Sequence, residues 1–288
     1  MKYNEGAQLD PSQMGGSGGR GNGGKIALGG GGGLLVLILA LVFGLNPGDL
    51  LGDQSTTPSG SQSNPFAQCT SGSDIAKQRD CRFVAYTNSI QNYWAGAASG
   101  YQKIQVDTFT GSINTACGNA TSAVGPFYCS GDTTVYLDLG FFDQLTGELG
   151  AQGGDAAEAY VLAHEFGHHI QNLTGTMRTV QSQGQQTGPK SGSVRLELQA
   201  DCYAGAWFNH ATNDPNGPIQ EVTRDDLNRA LDAAQAVGDD RIQKKMQGQV
   251  SPESWTHGSA AQREKWLQQG FTSGDPNTCD TFAKNALD

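Results

Sequence analysis

Residues 161–170 read Val-Leu-Ala-His-Glu-Phe-Gly-His-His-Ile. Three of them, His164, Glu165 and His168, have types and spacing that could do chemistry together. On a helix, His164 and His168 are four residues apart, so they lie roughly 40° apart on one face, one turn above each other. Two imidazoles so placed can hold one zinc ion. Glu165, one step round, can reach a water at that metal and take its proton. Zinc held by two histidines needs at least one more protein ligand and an open position for water.

The third ligand is sought in Val194-Arg195-Leu196-Glu197-Leu198-Gln199-Ala200-Asp201-Cys202-Tyr203-Ala204. The stretch reads as helix, and Glu197 and Asp201 fall on one face. Their surroundings are apolar. Burying a charge there is costly, so idle acids do not belong in such a place. We read Glu197 as the third ligand. Asp201 then accepts the free N–H of a ligating histidine and fixes its tautomer. The reversed assignment, with Asp201 on the metal, stays open.

Two other histidines lie close enough in type to matter. His257, in Trp255-Thr256-His257-Gly258-Ser259, sits in a turn. It could donate to an oxyanion opposite the metal, or be a hydrogen-bonded structural residue. His169 is about 100° round from His168 and about 140° from His164, so it faces away from the metal as a surface or packing histidine. His210 belongs to no motif.

These residues need helices to position them. Ala156 to Ala163 are mostly strong helix formers, Asp155 can cap them, and Asn172-Leu173-Thr174-Gly175 ends the helix. Gly167 inside it costs roughly 1 kcal/mol relative to Ala, which a close-packed neighbour would explain. Upstream, Arg82–Trp94 reads as an amphipathic helix and Lys103–Phe109 as a strand. Thr133–Leu139 is a second β-like run. It is either an edge strand that could pair with an extended peptide or an ordinary half-buried strand. Gln181–Ser193 reads as an exposed loop. Downstream, helices are expected over Thr223–Ala236, over Asp239–Met246, and after Ser259-x-x-Gln262, a capping box.

The N-terminal part has a different character. Residues 1–24 are Gly, Ser, Gln and Asn with scattered charge, and are expected to be disordered. From Ile26 to Leu45 there is no charged residue, which is the length that crosses a hydrocarbon layer of ~30 Å. We read residues 25–45 as one transmembrane helix through the lipid bilayer. A cleaved signal peptide is the rival, but its run would start earlier and end on a small-residue site, whereas Asn46-Pro47-Gly48-Asp49 follows Leu45. A merely buried helix is the third reading. Lys2, Arg20 and Lys25 precede the span, while Asp49 and Asp53 follow it. The positive-inside rule then puts the N-terminus in the cytoplasm and the bulk of the chain outside the cell membrane. Residues 46–64 read as a flexible linker, leaving 65–288 as the domain that carries the chemistry.

All six cysteines follow the span. That placement suits disulfides in an oxidising compartment. Cys69–Cys81 and Cys117–Cys129 would each close a short loop, and Cys202–Cys279 follows by elimination; the plainer reading is that some are buried thiols. The net charge of −10 makes nucleic acid a poor partner.

The run His164-Glu165-Phe166-Gly167-His168-His169-Ile170-Gln171-Asn172, with Glu197 to Gly205, resembles the Putative neutral zinc metallopeptidase family of bacterial single-pass membrane proteins. The resemblance extends through Gly125-Pro126-Phe127-Tyr128-Cys129, Val135–Phe142, Thr256-His257-Gly258-Ser259, Arg263 and Cys279-Asp280-Thr281-Phe282, roughly residues 65–285. The Glu-x-x-x-Asp arrangement also resembles gluzincin peptidases, in which the Glu is the ligand.

The expectation is therefore an α+β, helix-dominated, zincin-like domain with a small sheet, preceded by one transmembrane helix. Its expected activity is zinc-dependent hydrolysis of peptide bonds in a protein or peptide substrate, with Zn2+ on His164, His168 and Glu197 and with Glu165 as base. The alternative is a non-catalytic, zinc-containing binding or assembly factor of the cell envelope. Intramembrane proteolysis is disfavoured, because the motif lies about 120 residues beyond the span.

Overall fold

The computed structural model describes residues 1–16, 64–184 and 186–288. In chain order the strands are β1 Lys2–Tyr3, β2 Met14–Gly16, β3 Gln105–Phe109, β4 Ser112–Thr115, β5 Gly118–Thr121, β6 Phe127–Cys129, β7 Thr134–Asp138 and β8 Ile219–Glu221. The helices are α1 Asp74–Lys77, α2 Cys81–Ala97, α3 Phe141–Gly147, α4 Asp155–Leu173, α5 Thr176–Gln181, α6 Gly192–His210, α7 Arg224–Ala236, α8 Asp239–Gln247 and α9 Ala260–Ser273. The architecture is helix-rich α+β with small sheets, as the sequence led us to expect.

The larger sheet has the order β2-β3-β7-β6. Strands β2, β3 and β7 run parallel, and β6 is antiparallel to β7. All five residues of β7 are buried, as suits a β-branched and aromatic run covered on both faces. The run at 133–139 is therefore an interior strand and not the edge strand considered above. The edge on that side is β6. Hairpin β4–β5 and the pair β1–β8 are two-stranded.

Helices α4 and α6 form the centre. From Ala156 to Gln171 every residue of α4 is buried, which is how a helix behaves when it is enclosed rather than laid on a surface. Gly167 has its close neighbour: a Cβ there would come 2.8 Å from the Cα of Ala200 on α6. Helix α9 lies as tightly on the other side of α6, where a Cβ on Gly270 would fall 1.8 Å from the Cys202 carbonyl oxygen. Capping is local and legible. Ser191 accepts from the Val194 N–H, and Thr223 and Ser259 complete capping boxes with Asp226 and Gln262. Asp155 is the exception. It lies in the first turn of α4 behind Gly154, and its carboxylate is taken by Arg82 and by the Tyr3 hydroxyl rather than by its own helix.

Three disulfides are present, Cys69–Cys81, Cys117–Cys129 and Cys202–Cys279, paired as expected. They fasten the chain before α2, the β4–β5 hairpin and the C-terminal segment respectively.

The expectation of disorder over residues 1–24 is corrected for residues 1–16. These form β1 and β2, and Ala7, Leu9, Gln13 and Met14 are buried. Composition averaged over the segment hides these anchors among its glycines and polar residues. Residues 17–24, the expected span 25–45 and the linker up to residue 63 lie outside the described residues. Among the described residues, no helix is long and apolar enough to cross a membrane.

Candidate metal centre

Helix α4 presents His164, Glu165 and His168 towards α6, which presents Glu197. The absence of a side chain at Gly167 lets the two helices approach closely enough for the groups to meet. His164 Nε2 is 3.1 Å from Glu197 Oε2, and His168 Nε2 is 3.5 Å from Glu197 Oε1. One ligand atom from each residue lies within 4.8 Å of the others, and all three residues are buried. Tetrahedral ligands about 2.0–2.1 Å from one zinc would stand roughly 3.3 Å apart, so the donor set fits that ion. Two imidazole nitrogens and one carboxylate also match the usual chemistry of such sites.

Each histidine is turned by a partner behind it. His164 donates from Nδ1 to Asp201 Oδ1 at 2.8 Å, and His168 from Nδ1 to Gln171 Oε1 at 2.9 Å. Both Nε2 atoms are thereby left for the metal, the arrangement expected around a ligating histidine. Gln171 is itself fixed, donating to the Leu196 carbonyl at 2.6 Å. Asp201 is fully engaged. It accepts from Tyr160 at 2.7 Å and from Arg263 Nε and Nη2 at 2.9 and 3.0 Å. With its oxygens so occupied behind His164, Asp201 lies outside the group His164, His168 and Glu197 that could hold an ion.

Electrostatics follow from the burial. Desolvation pushes Glu165 up to about 7, although His164 pulls the other way. The Tyr128 backbone N–H lies against the same carboxylate. Desolvation lowers His168 to about 4, so its ring is neutral and free to ligate. For His164, burial disfavours the charge but Asp201 outweighs it and raises the ring to about 10. The proton that Asp201 stabilises is the one on Nδ1, which a ligating ring keeps; a metal displaces only the Nε2 proton. Glu197 is held well below the usual carboxylate range, its desolvation overcome by His168 and His164.

The four residues open on one cleft, which His257 and Arg263 also line. Much of the rest of its wall is apolar, including Val124, Phe127, Phe141, Leu149, Val161 and Val237. His257 is tied through Nδ1 to Asp239 Oδ1 at 3.1 Å. The second oxygen of Asp239 accepts three backbone N–H groups, from Thr256, His257 and Gly258, at 2.8, 2.7 and 3.0 Å.

The structure thus brings His164, Glu165, His168, Glu197, Asp201 and His257 into one neighbourhood. His169 faces away, and of its two readings the packing one fits: it is 2% exposed, with Nδ1 3.0 Å from the Tyr128 hydroxyl. His210 is bonded to the Gly274 carbonyl, away from the cleft. Sequence reasoning missed Tyr160, Gln171, Asp239 and Arg263 as members of the site. Tyr160 and Gln171 carried a signal, being one helical turn from His164 and His168. Asp239 carried none, and Arg263 only its place among the residues of the family resemblance, since only folding brings them to His257 and Asp201.

A family model described as Putative neutral zinc metallopeptidase matches residues 4–282. An uncharacterized protein of Mycobacterium tuberculosis (strain H37Rv) is 47% identical over 251 residues, covering 85% of either chain. The uncharacterized protein YpfJ of Escherichia coli (strain K12) is 40% identical over 259 residues, covering 89% of this chain and 88% of its own. No solved structure matches the chain.

Proposed function

The chain belongs to the Putative neutral zinc metallopeptidase family, and from that premise we propose that it hydrolyses peptide bonds in a zinc-dependent reaction. The observation that carries the reading is the position of Glu165. It is a buried carboxylate in the cleft, next in sequence to one ligand and three residues from the other, where a purely structural metal site would have no use for it.

His164, His168 and Glu197 would hold the ion. Zinc bound there supplies a Lewis acid that acidifies a water and polarises the scissile carbonyl. Glu165 accepts the proton from the attacking water and returns it to the leaving nitrogen. Asp239 accepts from His257 Nδ1 and favours the protonated ring, and in that form Nε2 also donates where the carbonyl oxygen gains charge. The apolar wall takes a substrate side chain, and the edge strand β6 offers backbone groups to an extended peptide. The fold would then be zincin-like.

Three disulfides support a domain placed in an oxidising compartment outside the cytoplasm. The uncharged run within 25–45 would attach it to the membrane.

The test is metal analysis of the purified protein beside a Glu165→Gln variant, with peptide hydrolysis measured for both. Equal zinc in the two, and hydrolysis only with Glu165, is the expected result. If neither hydrolyses any peptide in a diverse library and the two behave alike in the cell, the protein is a non-catalytic envelope factor.

A further inference from the structure

The placement of residues 1–16 conflicts with a simple anchor. Their packing against residues 64–288 is continuous along the segment. Tyr3 donates to Asp155 Oδ2 at 2.7 Å, on the first turn of α4, the helix that carries both histidine ligands. Strand β1 pairs with β8, Lys2 opposite Glu221. The Leu9 N–H donates to the Thr70 carbonyl and the Gly72 N–H to the Ala7 carbonyl, both at 2.9 Å. Asn88 on α2 exchanges two hydrogen bonds with the Asp10 backbone. Gln13 accepts from Gln91 at 2.9 Å in the interior. Strand β2 extends the larger sheet alongside β3.

The rest of the chain is shaped to receive this segment. A Cβ on Gly72 would fall 1.8 Å from the Asn4 carbonyl oxygen. Any other residue there would drive the segment off, so the glycine makes sense only with residues 4 and 5 docked.

The two chain ends that flank residues 17–63 also meet. Asn64 donates to the Pro11 and Met14 carbonyls at 3.0 and 2.9 Å. Gly16 packs on Pro65 so closely that a Cβ would lie 2.7 Å from its Cγ. The chain therefore leaves the domain and re-enters it at one spot. A single crossing in between would put strands of one sheet on opposite sides of a bilayer. It would also strip Asp155 of its Tyr3 donor and leave Gln13 and Met14 without their burial.

We propose that residues 1–16 are an integral part of the catalytic domain and lie in the same compartment as residues 64–288. The N-terminus is then not left behind in the cytoplasm while residues 64–288 lie outside it. Lys2, placed on β1 beside β8, acts as a strand residue rather than as a topology signal.

The test uses the full chain in cells. Gln8 and Gln268 are exposed and lie on the N-terminal segment and on α9. Single Gln8→Cys and Gln268→Cys variants are treated with a membrane-impermeant maleimide before and after lysis. The expected result is that both label to the same extent before lysis. Labelling of both only after lysis would keep the shared compartment and overturn the extracytoplasmic placement proposed above. Labelling of Gln268→Cys in unbroken cells with Gln8→Cys protected until lysis would overturn the inference. A second measurement does not depend on reagent access. The pair Lys2→Cys and Glu221→Cys, on cross-strand partners, should yield a disulfide-linked peptide after oxidation of unbroken cells with a permeant oxidant. Absence of that linkage in a chain that retains its three native disulfides would also overturn it.

Discussion

Asp239 grips His257 with both carboxylate oxygens, one on the ring Nδ1 at 3.1 Å and the other on the backbone N–H at 2.7 Å. Neither residue belongs to the group that could hold a metal, yet the pair brings an imidazole to the lining of the same cleft. If His257 donates to the reacting oxygen, His257→Ala should lower kcat by about 10²–10³, with KM little changed. Asp239→Asn should cost about 10-fold in kcat, because the ring survives but loses its orientation. Zinc content should be unaffected in both variants. A fall confined to KM would show that His257 only binds substrate.

Asp239 also makes a prediction about acid. Burial by itself would raise its pKa, but the His257 ring and the backbone N–H groups outweigh it and hold the carboxyl below its ordinary 3.8. A depressed folded pKa gives stability that is present above the unfolded value and lost as pH falls through the folded one. The loss from this group therefore begins near pH 4 and continues below it. Thermal melts of the metal-free protein at pH 6 down to pH 2.5 should show Asp239→Asn destabilised at the upper end, with the gap to the unmodified protein closing at the lower end. A gap that stays constant would mean that the carboxylate charge is not what stabilises.

Chelation should loosen the molecule as well as silence it. A ligand present at about 100 times its Kd adds roughly 2.7 kcal/mol to folded-state stability. For a domain of this size that corresponds to about 5–10 °C in Tm. Removing zinc with a chelator should lower Tm by that amount, and re-adding it should restore both Tm and hydrolysis. In His164→Ala the metal-dependent part of Tm should vanish, because two remaining ligands do not hold the ion.

Gly167 is the narrowest point between the two site helices. Gly167→Ala would gain roughly 1 kcal/mol in helix propensity. It would also force a Cβ to within 2.8 Å of the Ala200 Cα, between backbones that cannot give easily. Overpacking of this kind costs about 1–3 kcal/mol, so the net effect should be a lower Tm. Since α6 carries Glu197 one turn before Ala200, zinc affinity should fall with it. Zinc competition against a chromophoric chelator reads that directly. An unchanged affinity would mean that the helix spacing does not set the metal site.

Much of this molecule was legible in its sequence. Helical periodicity of 3.6 residues is a local property, so His164, Glu165 and His168 could be placed on one turn of helix before any fold was known. The same logic set His169 on another face and put Glu197 and Asp201 together. Cysteine spacing gave the three pairings, because two of them close short loops and one remains. Capping boxes at Thr223 and Ser259 were readable because they involve residues three apart.

What depended on distance along the chain was not readable. That Glu197 meets the Nε2 side of His164 and Asp201 its Nδ1 side follows from how α6 packs against α4, closely at Gly167 and Ala200. Arg263 and Tyr160 then claim Asp201 from behind, across 62 and 41 residues of sequence. Asp239 reaches His257 only because the turn after α8 folds back on the start of that helix. The strand at 134–138 became interior once β3 and β6 had flanked it. Residues 1–16 gave the sharpest departure. Their composition lacks the apolar density that would order them alone, so the sequence marked them as a tail. They are ordered because a cleft built by α2, β3 and the Ser71–Ser73 segment supplies the burial and the hydrogen-bond partners that the segment does not carry itself.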